Sequence, residues 1–217
     1  MWVRYDDIPA LQHPNVRWTQ GSITKLDSDR HVAQIQDSKT GELVEHDYDY
    51  FIAATGLRRQ YPVVPQEVTR KTYLDETGGH VGAVKSASEG VVVIGGGAVG
   101  IEMAAELKLT QPEAKVTLVQ SRGKLLSAEP LPDEFKEAAL EALKEMGVEV
   151  VLGRGRVTKT EIIPVDGKAS AQRLTLGDGT QLTASHVINA VSSQIPVTSY
   201  LPPSVLDNEG LVKINNL

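Results

Sequence analysis

The sequence predicts an α/β fold in which a parallel sheet with helical connections is extended by antiparallel strands and flanked by a separate β-meander. Three observations predict it. The run Val91-Val92-Val93-Ile94 is apolar, β-branched and closed abruptly by Gly95-Gly96-Gly97, and the helix-forming stretch 98–109 follows at once. A second β-branched run at 115–119 comes next, so strand, helix and strand alternate. Before all of these, short runs at 16–20, 23–26, 32–36, 42–44 and 50–53 are separated by clusters of Asp, Ser and Gly, the pattern of a meander.

The glycines carry chemistry as well as shape. In Gly95-Gly96-Gly97-Ala98-Val99-Gly100 the Gly-x-Gly-x-x-Gly spacing sets one glycine at the turn, one where backbone approaches a pyrophosphate, and one where helix meets strand. Free N–H groups at the helix start then face the phosphates. Such a motif is weak alone, and its place between strand and helix makes the unit Rossmann-like. Gln120 lies twenty positions past Gly100, where such a unit presents the group that reads the adenosine ribose. A carboxylate there selects NAD. Gln120-Ser121-Arg122 can bond a hydroxyl without repelling a 2′-phosphate, and Arg122 can pair with that phosphate, which leans towards NADP(H) or tolerance of both. The plainer alternative makes Gln120 and Arg122 solvent-facing loop residues and the glycines a packing turn.

Composition narrows the rest. The 217 residues can bury a substantial core, and a net charge of −6 without a basic run argues against nucleic acid as a partner. There is no cysteine, so a disulfide, a zinc–thiolate site, an iron–sulfur cluster and a redox-active cysteine pair are excluded within this chain. Electron transfer here needs a bound carrier. No apolar run approaches the roughly twenty residues of a membrane span, and the start reads as neither a signal peptide nor a lipidation site, so a cytoplasmic or mitochondria-associated location is expected. The five histidines, His13, His31, His46, His80 and His186, show no metal-ligand spacing and read as surface or hydrogen-bonded residues, so no metal site is expected.

Taken in order, the meander ends in Ala53-Ala54-Thr55-Gly56, a small-residue corner where backbone can lie close to a ligand or another strand. The stretch 56–66, with Pro62 and Pro65, reads as a connection between domains, and 69–88 as partly helical. Pro132, with acids Asp133 and Glu134, opens a helix whose apolar face is Phe135, Ala139, Ala142 or Leu143, and Met146, stopped by Gly147. A parallel strand is expected at 148–152. Strands at 157–163, 173–176 and 181–183, punctuated by Asp166-Gly167 and Gly177-Asp178-Gly179, read as the antiparallel extension. Another at 187–191 closes the domain, and 210–214 is a further candidate strand.

With the corner, the glycine unit and the tail in view, the chain resembles the two-dinucleotide-domain flavoprotein oxidoreductases, in the branch of apoptosis-inducing factor and the ferroptosis suppressor proteins. In that family an FAD domain is interrupted by an inserted NAD(P)H domain. The resemblance implies that 1–66 is part of the FAD domain with Thr55 and Gly56 at its exit, that 67–193 is the NAD(P)H-binding insert, and that 194–217 returns towards the FAD domain. It places Glu102 near nicotinamide and flavin, with a first-turn acid favoured by the helix dipole as the alternative account. It sets Ala190 and Ser192 at the nicotinamide side, where relatives usually have glycine at the position of Ser192. The family's own FAD glycine motif and its ribityl-binding Gly-Asp segment fall outside these residues, so an excised portion is expected.

The activity implied is hydride transfer from NAD(P)H through FAD to a quinone-like small-molecule acceptor; the alternative is a nucleotide-binding or interaction module without turnover. The absence of cysteine fits direct transfer from flavin to acceptor. No Gly-x-Ser-x-Gly elbow occurs, and the pairs Asp47 with Asp49 and Glu141 with Glu145 read as solvated faces. Arg58-Arg59 reads as a solvated loop pair or a phosphate contact.

Overall fold

The computed structural model describes residues 3–58, 61–67, 69–165, 169–191 and 195–214. Arg59, Asp166, Gly167 and Ser192 lie outside them. The chain forms two compact units, one of Met1–Arg58 with Gln194–Leu217 and one of Arg59–Ser193.

The first unit is built on three antiparallel strands, β1 (Gly21–Asp27), β2 (Val32–Asp37) and β3 (Leu43–Asp47), in sequential order. Its turns are set by side chains that imitate backbone. The Asp37 carboxylate accepts from the N–H groups of Lys39 (2.7 Å) and Thr40 (3.0 Å), and Asp27 accepts from Arg30 N–H (3.0 Å). Leu26 and Ala33 pack with Tyr200 and Leu201, and Phe51 stands edge-on to Tyr200 with ring centres 6.2 Å apart. A two-residue strand, β4 (Leu57–Arg58), pairs antiparallel with Ile195–Pro196.

Three expected strands are absent. Residues 16–20 form no strand, and Trp18 instead stacks on Tyr5 at 5.0 Å. Residues 50–53 join no sheet among the described residues: Phe51 is half-buried while Tyr50 and Ile52 stay 94% and 88% exposed. The apolar alternation there satisfied a strand template, but a strand also needs a neighbour for its N–H and C=O groups. Residues 210–214 likewise make a single bridge, Leu206 to Val212, rather than a strand.

The second unit begins with α1 (Arg70–Lys85), whose N-terminus is capped by Thr69 Oγ1 accepting from Thr72 N–H at 3.2 Å. Then come β5 (Val91–Ile94), α2 (Ala98–Thr110), β6 (Val116–Gln120), α3 (Asp133–Glu145) and β7 (Glu149–Leu152). The strands β8 (Val157–Val165), β9 (Ala169–Leu176) and β10 (Gln181–Ala184) form an antiparallel sheet, and β11 (His186–Asn189) rejoins the parallel one. The parallel order is β11-β5-β6-β7, so the α/β expectation holds, antiparallel extension included.

Alternation along β5 shows how the layers are held. Val91 and Val93 face the helices, in a core with Val84 of α1, Ala104 of α2 and Leu143 of α3; Val92 faces the other way, against Leu174, Leu176 and Ala184 of the antiparallel sheet. The parallel sheet is buried on both faces. One detail of α3 differs from expectation: Phe135 is 55% exposed, because the buried stripe runs through Ala139, Leu140 and Leu143 and leaves the first-turn aromatic beside it. No helix among the described residues is long and apolar enough to cross a membrane.

Two of the histidines meet. His80 Nδ1 on α1 lies 3.1 Å from His186 Nε2 at the start of β11, with the Tyr61 ring edge-on to His80. Burial holds both imidazoles below the usual histidine value, and at His186 the His80 charge adds to the effect. Each is therefore neutral in the fold at a pH where the unfolded chain takes up a proton. Their contribution is complete above the free value of about 6.5 and declines as pH falls below it. The urea midpoint is expected to drop between about pH 7.5 and about pH 5.5, and to drop less steeply in the double variant His80→Gln, His186→Gln; equal drops would exclude the pair as the cause.

Candidate functional site

The site lies at the carboxyl ends of the parallel strands, where β5 stands between β6 on one side and β11 on the other. The chain leaves β5 towards β6 and later returns to its opposite flank, so strand order reverses here, the place where connections in such sheets diverge and leave a crevice.

Gly95 makes the turn. Its φ of +113° lies where L side chains are strained, and a Cβ there would sit 3.1 Å from the Ala190 carbonyl. Its N–H still donates to Val119 O (2.9 Å), and Ala190 N–H donates to Ile94 O (2.8 Å), so sheet bonding continues to the mouth of the crevice. Gly100 fixes the helix against the strand: a Cβ there would come within 1.8 Å of the Gly95 carbonyl oxygen. Gly97, the N-cap of α2, is exposed, with nothing within 4 Å of where its Cβ would stand. Among the described residues no acceptor takes the N–H groups of Gly97, Ala98 or Val99. Three such donors at the positive end of a helix dipole are an arrangement from which an anion can accept.

Gly96 is different. It is buried, its N–H donates to Gln120 Oε1 (3.3 Å), and its carbonyl accepts from Leu126 N–H (2.8 Å). The Gln120 amide in turn donates to Ser127 Oγ (2.8 Å) and Lys124 O (3.4 Å). The side chain expected to reach for a ribose is thus directed back into the protein, since an amide can serve a backbone donor and a hydroxyl together. Of its neighbours, Ser121 is half-buried and Arg122 is exposed without an ion pair among the described residues, while Lys124 is paired with Asp133 at 2.6 Å.

Glu102 is exposed one turn into α2, and Ala190 borders Gly95 at the end of β11. Thr55 and Gly56 belong to the first unit, where Thr55 Oγ1 donates to Val197 O (2.7 Å) and meets Tyr200 Oη (3.1 Å), and Gly56 O accepts from Val197 N–H (3.0 Å). The corner is pinned to the returning segment. Ser127, Leu125 and Leu126 were not singled out from sequence, and no local pattern marks them.

The sequence profile described as pyridine nucleotide-disulphide oxidoreductase matches residues 7–199. The chain belongs to the pyridine nucleotide-disulphide oxidoreductase family. Within that family it is similar to oxidoreductase OXR1 of Ajellomyces capsulatus, 50% identical over 216 residues, covering 99% of this chain and 46% of that protein. It is also similar to human ferroptosis suppressor protein 1, 28% identical over 198 residues, covering 90% of this chain and 51% of that protein. The chain therefore spans about half the length of these curated relatives. Two solved structures share the fold: a pyridine nucleotide-disulfide family oxidoreductase from Enterococcus faecalis V583 (TM-score 0.66, 18% identity, 90% of this chain, 43% of that one) and a ferredoxin reductase from Rhodopseudomonas palustris (TM-score 0.64, 21% identity, 85% and 43%). These 217 residues contain no cysteine.

The contrast between Gly100 and Gly97 is testable. Gly100→Ala forces helix and strand apart and is expected to cost about 1–3 kcal/mol of stability, whereas Gly97→Ala, with open space at its Cβ, stays within about 1 kcal/mol of the parent. Urea unfolding followed by circular dichroism distinguishes the two.

Proposed function

We propose that this chain is the NAD(P)H-binding portion, with part of the FAD domain, of a flavin-dependent oxidoreductase that moves hydride from NAD(P)H through FAD to a quinone-like acceptor. The observation that carries the reading is the cradle of unpaired N–H groups at Gly97, Ala98 and Val99, opening at the strand-order reversal in a chain of this family. Residues 67–193 bind the dinucleotide. Residues 1–66 and 194–217 belong to the flavin side.

In this reading the Gly97–Val99 donors hold the diphosphate, and Gly95, Gly96 and Gly100 keep the backbone where those donors converge. Arg122 and Ser121 meet the adenosine end, the guanidinium pairing with a 2′-phosphate. Ala190 and Glu102 border the nicotinamide end, to which the resemblance also assigns Ser192, and Thr55 and Gly56 belong to the exit of the flavin domain. The chemistry drawn from FAD when bound is acceptance of hydride and release of electrons to the acceptor. The quinone-like acceptor rests on the resemblance to the ferroptosis suppressor branch.

A single substitution separates folding from binding. Asp is a favoured N-cap, so Gly97→Asp is expected to leave stability equal or higher; its carboxylate repels the diphosphate, and NAD(P)H affinity should fall at least about tenfold by calorimetric titration. Unchanged affinity would remove the cradle from the function. In the parent chain NADPH is expected to bind at least as tightly as NADH, and a clear preference for NADH would overturn the role given to Arg122. A flavin absorption band in the purified protein supports the oxidoreductase; nucleotide binding without one favours a module without turnover.

A further inference from the structure

The bonds around Gly96 point to a second role within the same crevice, one that rests on its being a nucleotide site. We infer that Gln120 is a positioning residue: it latches the glycine turn to the loop after β6 and does not read the cofactor's ribose. Both polar groups of the Gly96 backbone are held from this side, the N–H by Gln120 Oε1 at the end of β6 and the carbonyl by Leu126 N–H in the loop that follows. The other end of the Gln120 amide is anchored on Ser127 Oγ at 2.8 Å. Leu125, 1% exposed, fills the space beside Gly96, where a Cβ would meet Leu125 Cδ2 at 2.7 Å and Gln120 Cβ at 2.8 Å.

This geometry has three consequences. Gly96 N–H is satisfied internally, so the diphosphate is left to Gly97, Ala98 and Val99. The direction of those three donors depends on how Gly96 is held, because Gly96 immediately precedes them. Discrimination at the 2′ position falls to Ser121 and Arg122, since the Gln120 oxygen is turned to Gly96 N–H and its amide nitrogen donates to Ser127 Oγ and Lys124 O.

The test compares two ligands that differ only at the ribose, ADP and 2′-deoxy-ADP, bound to the full chain at a temperature where each variant is folded by circular dichroism. A residue that reads the 2′-hydroxyl loses affinity for ADP alone. A latch loses it for both. Gln120→Leu is expected to weaken ADP and 2′-deoxy-ADP by the same factor, about tenfold, and Ser127→Ala by an equal but smaller factor of about threefold on each. The double variant should be no weaker than Gln120→Leu, because both changes break one linkage. Amide hydrogen exchange at Gly96 without ligand should accelerate in Gln120→Leu by a larger factor than at the core amides of β5 and β6, a local signature that general destabilisation does not give. Should Gln120→Leu fail to fold, Ser127→Ala carries the same comparison with the Gly96 bond in place. A loss confined to ADP, or no loss in either variant, overturns the latch. A parent chain that binds neither ligand overturns the nucleotide reading, and the latch with it.

Discussion

The structure of the second unit depends on one close approach. The first turn of α2 presses its Gly100 backbone on the carbonyl oxygen of Gly95, at a separation that leaves no room for even a methyl group. That contact sets the distance between helix and strand and the direction in which the helix starts. Because the helix begins hard against the strand end, its first N–H groups open into the crevice and not into packed side chains. A larger separation would still give a helix on a sheet, with its N-terminus aimed elsewhere.

The surrounding architecture holds that contact rigid. β5 is flanked by parallel neighbours on both edges and covered on both faces, by helices against Val91 and Val93 and by the antiparallel sheet against Val92. The main-chain bonds Gly95 to Val119 and Ala190 to Ile94 carry the hydrogen-bonding to the last residue before the turn. A strand end so constrained cannot drift to relieve the crowding at Gly100. Interiors packed at this density transmit a displacement and do not absorb it.

Much of this was legible in sequence because it follows from local rules. The Gly-x-Gly-x-x-Gly spacing assigns separate tasks to Gly95, Gly97 and Gly100, and the structure shows a positive φ, an open cap and a close approach at those positions. The β-branched runs became β5 and β6, and turn chemistry marked the antiparallel sheet. What local pattern missed depends on partners distant in sequence. Residues 50–53 have the alternation of a strand, but pairing is a property of two segments, and none of the described residues supplies the second. Phe135 matched a helical stripe whose true axis is set by where α3 meets the sheet. Gln120 was read outward because its position in such units serves a ribose; that it bonds inward depends on Gly96 and Ser127, neither of which announces it.

The first unit differs from the second in how its core is assembled. Leu26 and Ala33 come from early in the chain and their partners Tyr200 and Leu201 from near its end, while the other core is drawn from one uninterrupted stretch. A ribosome delivers the chain in one direction, so the contiguous unit can condense during synthesis, while the discontinuous one must wait at least for Tyr200 and Leu201. The helical unit then brings the strands that flank it close together, shortening the loop that β4 and Ile195–Pro196 have to close. The uninterrupted second unit in this way becomes the scaffold on which the split sheet of the first is completed.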